Sequence, residues 1–358
     1  MPIAAQIQYF GAMEPMSAHA DPNQPPPRED ALGPRGVAQV ALAPDAIRLG
    51  RHARSPTEIP WPGWKRVLRR VAWEMITDRV SLVAAGCAFY ATLALFPAIS
   101  MLVSIYGLMF DPVTVEPQLV VLRDLLPPAA YQLIAARVHQ LVTQPSRTLG
   151  FGLLFSTAFT LWSAATGTKG ILTALNLAYE ETETRSILRY QLTAFAITFC
   201  AILGAIFGLA FLVGLPTAVT FLGSSANQAA LLNLASFALL ILFVMASLSL
   251  LYRFGPCREQ PRWQWVTPGS IIATVLWLAA SALFSFYVGH FASYDSTYGP
   301  LGTVVGVMMW FFVTVYAVLL GAELNAELEM QTAHDSTNGP PMPLGERGAY
   351  VADHVSDD

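Results

Sequence analysis

FALLILFVMASLSLLY, residues 237–252, runs for sixteen positions without a formal charge and without alternating apolar and polar side chains. A chain in lipid must satisfy its backbone hydrogen bonds internally, so it crosses as a helix or as part of a closed barrel. A barrel strand alternates an apolar outer face with a polar inner one, and this stretch does not. It therefore predicts a membrane-embedded helix. Around it, Tyr190 to Tyr252 forms 63 residues with no Asp, Glu, Lys or Arg. About 20 apolar residues cross the hydrocarbon core, so this interval is long enough for two crossings. Its most polar point, GSSANQ at 223–228, predicts the turn between them.

Further charge-free intervals occupy 80–110, 148–168, 263–294 and 296–322. The expected fold is all-α and polytopic, with six transmembrane helices near 81–108, 149–172, 191–222, 229–252, 267–290 and 300–324. Composition agrees: of 358 residues 54% are apolar and only 12% charged, about half the share of a soluble domain. Mean hydropathy is +0.48. A net charge of −4 gives no basic excess that would point to nucleic acid.

Residues 1–60 differ from the rest. Eleven of the 25 prolines lie in residues 1–62, and no continuous apolar run follows a basic start. A disordered cytosolic tail is expected there, not a signal peptide. The polar stretch 331–358 is likewise expected to be a disordered tail, leaving 61–330 as the membrane domain. Cys87, Cys200 and Cys257 form no CxxC pair. They are expected as small buried hydrophobes.

Orientation follows from the cations beside the spans. Lys65, Arg66, Arg69, Arg70 and Arg79 precede the first; Lys169, Arg185 and Arg189 separate the second from the third; Arg253, Arg258 and Arg262 separate the fourth from the fifth. The alternate loops hold Arg123, Arg137 and Arg147. Eleven against three puts both termini in the cytosol. In WKRVLRRVAWEMITDRV, residues 64–80, apolar Trp64, Val67, Leu68, Val71, Met75 and Ile76 share one helical face, with the basic residues opposite. This predicts an amphipathic helix on the anionic inner leaflet, or a cytosolic extension of the first span. Residues 111–148, with AYQLIAARVHQLV at 130–142, predict short extracytoplasmic helices.

Catalytic patterns are missing. His19, His52, His139, His290, His334 and His354 are scattered, and no HExxH, GxSxG, P-loop or GxGxxG occurs. No catalytic residue, metal or cofactor is expected. The polar residues within spans are Asn176, Asn233, Ser236, Ser247, Ser249, Ser281, Ser285 and His290. They suit either a solute path or plain interhelical hydrogen bonding.

LLGAELNAELEM, residues 319–330, closes the last span with three carboxylates. Span six begins near Pro300, so Glu323 falls at the cytosolic boundary. Glu323 and Glu327 share a helical face at i and i+4, with Asn325 pointing elsewhere. Like charges at that spacing repel, and a helix C-terminus disfavours anions. Cationic partners are expected, with Arg253 the first choice for Glu323; the alternative is a solvated helix end.

Six segments also carry a resemblance. AAGCAFYATLALFP, LWSAATGTKGILTALNLAYE, LYRFGPCRE, TPGSIIATVLWL, YVGHFASYDSTYGPLG and LLGAELNAELE occur in this order across about residues 64–330. Together they resemble the YihY/BrkB-like bacterial inner-membrane proteins, some long labelled ribonuclease BN. The resemblance implies six spans, with a role in transport or envelope maintenance and a link to virulence. It marks Asn176, Arg253, Tyr298, Glu323, Asn325 and Glu327 as candidate functional or structural positions. Leu177 stands where relatives often carry a basic residue, and FGPC at 254–257 where they usually read YGPN. The expected function is to move or accommodate a hydrophobic or amphipathic envelope substrate. A non-transporting structural or assembly role is the rival, and the ribonuclease label a distant third. Membrane lipids are the expected partners, with an envelope lipid or small amphipathic molecule as substrate and no nucleic acid.

Overall fold

The computed structural model describes residues 31–32, 45–109, 146–209, 226–291 and 300–356. Among them, α1 (Ala46–Leu49) and a 3-10 turn (Pro56–Glu58) lead into α2 (Trp61–Thr77). Long helices follow: α3 (Val80–Met109), α4 (Ser146–Ala178), α5 (Ile187–Leu209), α6 (Ala226–Phe254), α7 (Trp263–Phe291) and α8 (Pro300–Met330). A short α9 (Tyr350–Asp353) precedes β2 (Val355–Ser356), which pairs antiparallel with β1 (Ala31–Leu32). Each long helix overlaps one apolar segment expected from sequence. Among the described residues, Leu234–Phe254, Trp263–Phe286 and Val304–Met330 are helices long and apolar enough to cross a membrane. Val80–Ala94 and Ile187–Ala201 are shorter apolar helices. Of the segment 111–148 expected to hold short helices, residues 111–145 lie outside the described residues, as do the GSS part of the 223–228 turn and Tyr298; Ala226, Asn227 and Gln228 already belong to α6.

The helices pack in series, α5 on α4, α4 on α3, α3 on α8, α8 on α7 and α7 on α6, with α2 against α8. Small side chains permit the α3–α4 approach. Ala84, Cys87 and Ala88 are buried on α3, and a Cβ added at Gly170 of α4 would come within 2.9 Å of Cys87 Sγ. Cys87 is thus buried as expected. Cys200 is exposed on α5, and Cys257 is half-buried in the α6–α7 loop beside the Thr184 hydroxyl at 3.3 Å.

Besides Cys200 and Cys257, which are not buried as expected, three expectations need correction. The first is disorder in residues 331–358: residues 331–356 fold back over the end of α8. Val351, Ala352 and Val355 give this segment an apolar underside, and its polar groups are bonded within the chain. Asp335 accepts from Thr337 N, Thr337 Oγ1 and Met342 N at 2.9, 2.7 and 2.8 Å, and Arg347 Nη1 donates to Ala352 O at 2.6 Å. The second is the extent of the N-terminal tail. Residues 45–60 are ordered against that C-terminal segment, with Ala46, Leu49, Ala53 and Ile59 buried. Thr332 Oγ1 donates to Ala53 O at 2.6 Å, and Ala333 N to Arg51 O at 2.9 Å. Polar, proline-rich composition signalled weak burial, but each end supplies the other's missing surface.

The third concerns α2, which forms over the expected residues but whose apolar stripe divides. Val67, Val71 and Met75 are buried in the core shared with α8, while Leu68 and Ile76 face outward. Arg70, read among the basic residues opposite the apolar face, is buried with the valines, and so is Glu74.

Candidate functional site

The polar residues that the sequence singled out converge where α4, α6 and α8 end and α7 begins, beneath the paired chain termini. Glu323, Glu327 and Glu329 are all buried. The alternative of a solvated helix end is therefore wrong. Glu327 Oε2 receives Arg70 Nε from α2 at 2.6 Å. Arg70 Nη2 also donates to Gln331 Oε1 at 2.7 Å, and Gln331 Nε2 to Leu49 O at 2.8 Å, so the ion pair reaches into the N-terminal segment. Glu329 Oε2 receives Arg258 Nη2 and Ser336 Oγ, each at 2.6 Å. The Arg258 guanidinium lies over the Tyr179 ring, 4.8 Å from its centre. Burial pushes the Tyr179 phenol well up, so it remains protonated.

Arg253 is not the partner expected for Glu323. Its Nη1 donates to Pro261 O at 2.7 Å, and its guanidinium lies 4.4 Å from the Trp263 ring centre. It braces the α6–α7 loop against the first turn of α7, and the ion pairs formed by Glu327 and Glu329 fall to Arg70 and Arg258. Tyr252, beside it, donates to Val318 O of α8 at 2.7 Å.

Asn325 explains how α7 starts earlier than expected. Pro268 sits inside α7, where it lacks an N–H and crowds the preceding turn. The Asn325 amide bridges this defect: Oδ1 accepts Gly269 N at 2.8 Å, and Nδ2 donates to Val266 O at 3.2 Å. The bridge requires close helices. A Cβ at Gly269 would overlap the Gly321 carbonyl oxygen, and one at Gly321 would overlap the Tyr252 hydroxyl.

Asn176 joins the α4–α5 and α6–α7 loops. Its Oδ1 accepts Cys257 N at 2.8 Å, and its Nδ2 donates to Glu183 Oε2 at 3.0 Å. Glu183 is gripped by Arg185 at 2.6 and 2.7 Å, and Arg185 also donates to Gly255 O at 3.1 Å. Burial alone would raise the Glu183 carboxyl, but Arg185 and Asn176 hold it below the usual range. Glu181 has a different environment. It accepts Tyr350 N from α9 at 2.7 Å, and burial pushes its carboxyl up to about 7.

The structure thus brings together Asn176, Arg253, Glu323, Asn325 and Glu327 at one end of the bundle, as elements of a buried joint. Sequence reasoning missed the roles of Arg70, Glu181, Gln331 and the C-terminal segment. Among the described residues, no group of three or more His, Cys, Asp or Glu is arranged to hold a metal ion.

Comparison with known proteins places this architecture. The family model of "Virulence factor BrkB" matches residues 71–344. "Putative ribonuclease-like protein YfkH" of Bacillus subtilis (strain 168) is 30% identical over 254 residues, covering 68% of this chain and 88% of its own. "UPF0761 membrane protein IL2447" of Idiomarina loihiensis is 29% identical over 230 residues, covering 62% and 75%. "UPF0761 membrane protein Mpe_A1422" of Methylibium petroleiphilum is 24% identical over 317 residues, covering 84% and 71%. No solved structure matches the chain. The matched region contains α3 to α8 and most of the buried polar joint, and on this ground the chain belongs to the BrkB virulence-factor family of membrane proteins.

Proposed function

We propose that this is a six-span inner-membrane protein, with both termini in the cytosol, that moves or accommodates a hydrophobic or amphipathic envelope substrate. The observation that carries the reading is the separation of polar from apolar surface. The acidic end of α8 is buried under the chain termini, while α6 and α7 expose Leu234, Phe237, Leu242, Val275, Leu283 and Phe286 along their lengths. An ion-coupled pump wants ionisable groups at mid-depth; here they gather at one end. A substrate that enters from the lipid phase suits such a surface. The test is reconstitution into liposomes with fluorescent phospholipids. Faster lipid redistribution than in empty vesicles is expected, and no movement of any lipid or amphiphile overturns the proposal.

The non-transporting structural role keeps one specific observation in its favour. The amides of Asn176 and Asn325 each donate and accept within the protein. If Asn176→Ala or Glu327→Gln inserts normally and leaves in vivo function intact, the structural reading holds; loss of lipid movement with normal insertion favours transport. Reporter fusions test orientation separately. The 223–228 turn and the C-terminus should report from opposite sides of the membrane.

A further inference from the structure

We infer that the outward face of α2 is a docking surface for anionic phospholipid headgroups, with Lys65 and Arg69 binding phosphate and Trp61 and Trp73 seated at the level of the headgroups. The inference deepens the proposed orientation and rests on it.

The sequence assigned the membrane contact to the stripe containing Val67, Val71 and Met75. The structure uses that stripe against α8, so it is unavailable to lipid. A second face remains, and it is not an ordinary solvated one. Trp61 is 70% exposed, Trp73 67% and Ile76 74%, with Leu68 also exposed. At about 100° per residue, Trp61, Lys65, Leu68, Arg69, Trp73 and Ile76 fall on the outward half of the helix. Lys65 and Arg69 are exposed among them. Two indoles and two aliphatic side chains interleaved with cations are costly in water but suit a bilayer interface. There the rings sit among headgroups and the cations reach phosphates.

Position supports the same occupant. α2 ends at Thr77 and α3 begins at Val80, so the outward face lies within a short turn of a helix that exposes Leu82, Phe89 and Leu93. The turn is sharp, with Arg79 in the left-handed region at φ 51°. The other side of α2 is fixed to the polar end of α8 by the Arg70–Glu327 pair. A helix tied at once to the start of an apolar helix and to the charged end of another lies at the boundary between lipid and water. Charge chooses the lipid. A zwitterionic headgroup offers no net attraction, whereas each cation near an anionic surface strengthens binding about fivefold.

The test uses the full chain purified in detergent and titrated with phosphatidylglycerol or phosphatidylcholine, reading bound lipid by native mass spectrometry and thermal stability in parallel. Phosphatidylglycerol should be retained more strongly and should stabilise more, an advantage lost at high salt. Lys65→Gln/Arg69→Gln should weaken phosphatidylglycerol binding about 25-fold, leave phosphatidylcholine binding unchanged, and unfold at the wild-type temperature without lipid. Lys65→Arg/Arg69→Lys should restore binding. Equal retention of the two lipids by the wild-type chain, or an unchanged preference in the glutamine variant, overturns the inference. The wild-type salt titration decides the matter even if the glutamine variant fails to fold. Labelling of Lys65→Cys in a Cys200→Ser background from the cytosolic side tests the orientation independently. Correct labelling without lipid preference would overturn only the docking surface.

Discussion

Arg70→Met should destabilise the protein severely, and pairing it with Glu327→Leu should reverse most of the loss. Arg70 and Glu327 are 7% and 1% exposed at their side chains, and Nε lies 2.6 Å from Oε2. Removing one ion strands the other away from water, which costs about 3–5 kcal/mol. The loss spreads, because Arg70 also donates to Gln331, which holds Leu49 O. One kcal/mol moves Tm by about 2–4 °C in chains of 150–250 residues and by less in a longer one, so each single variant should unfold about 5–10 °C earlier. In the double variant no charge is stranded, and two apolar side chains fill the space between α2 and α8. Replacing a buried pair in this way is often neutral, so the coupling should approach the sum of the two single losses, about 6 kcal/mol or more. Intrinsic tryptophan fluorescence of the detergent-solubilised chain, heated at one fixed scan rate, reads all four proteins. Single variants within about 2 °C of wild type would refute the idea that this pair holds α2 to α8. So would a double variant whose loss equals the sum of the two.

Other residues at the same end give sharper chemical tests. Asn325→Leu leaves Gly269 N–H and Val266 O without their bridge and should cost about 2–3 kcal/mol, read as earlier thermal unfolding. Gly269→Ala should abolish folded yield in a detergent-extraction assay, because its Cβ would overlap the Gly321 carbonyl oxygen. Asn176→Asp keeps the acceptor for Cys257 N but sets a carboxylate against Glu183, so it should lower Tm, while Asn176→Ser should lower it less. Glu181→Gln should stabilise by about 2 kcal/mol at pH 8 and by almost nothing at pH 4.5, measured as Tm against pH. Burial raises the Glu181 carboxyl from 4.5 to about 7, so the folded state holds the extra proton within that window. Wild-type stability therefore falls as pH rises through the window, and the neutral amide removes this loss while still accepting Tyr350 N.

Charge-free runs located the long helices because lipid forbids unpaired backbone and charges, and both rules can be read from one residue type at a time. Ends were harder. The span expected from 267 begins as helix at Trp263, since the break at Pro268 is repaired by Asn325, 57 positions away. The site was half legible. The acidic cluster on α8 announced a need for cations, but the choice among Arg70, Arg253 and Arg258 depended on tertiary approach. One clue was available for Arg70. On a helix it lies about 60° from Val67 and about 140° from Lys65, so it belonged with the inward stripe and not with the basic face. The C-terminal segment gave less to read. Its apolar residues are few and short in span, and only the N-terminal residues packed on them make a core.

The carboxylates of α8 can be buried without lying in lipid. From Pro300, where α8 begins, to Glu323 is about 35 Å of helix, a little more than the thickness of the hydrocarbon core. Glu327 and Glu329 then stand about 6 and 9 Å further on, past the core. Water would ordinarily reach them there. It is excluded by protein: α2 on one side, the α4–α5 and α6–α7 loops on another, and residues 331–356 folded back above. The carboxylates therefore gain the strong pairing of a low-dielectric site while avoiding exposure to lipid. Every element that must be held at this end contributes a bond to the joint, so the acidic sequence GAELNAELE acts as the fastening point of the bundle. Separating α2 or the α6–α7 loop from this end of α8 has to break Arg70–Glu327 or Arg258–Glu329, and substitutions at these pairs should loosen this end of the bundle.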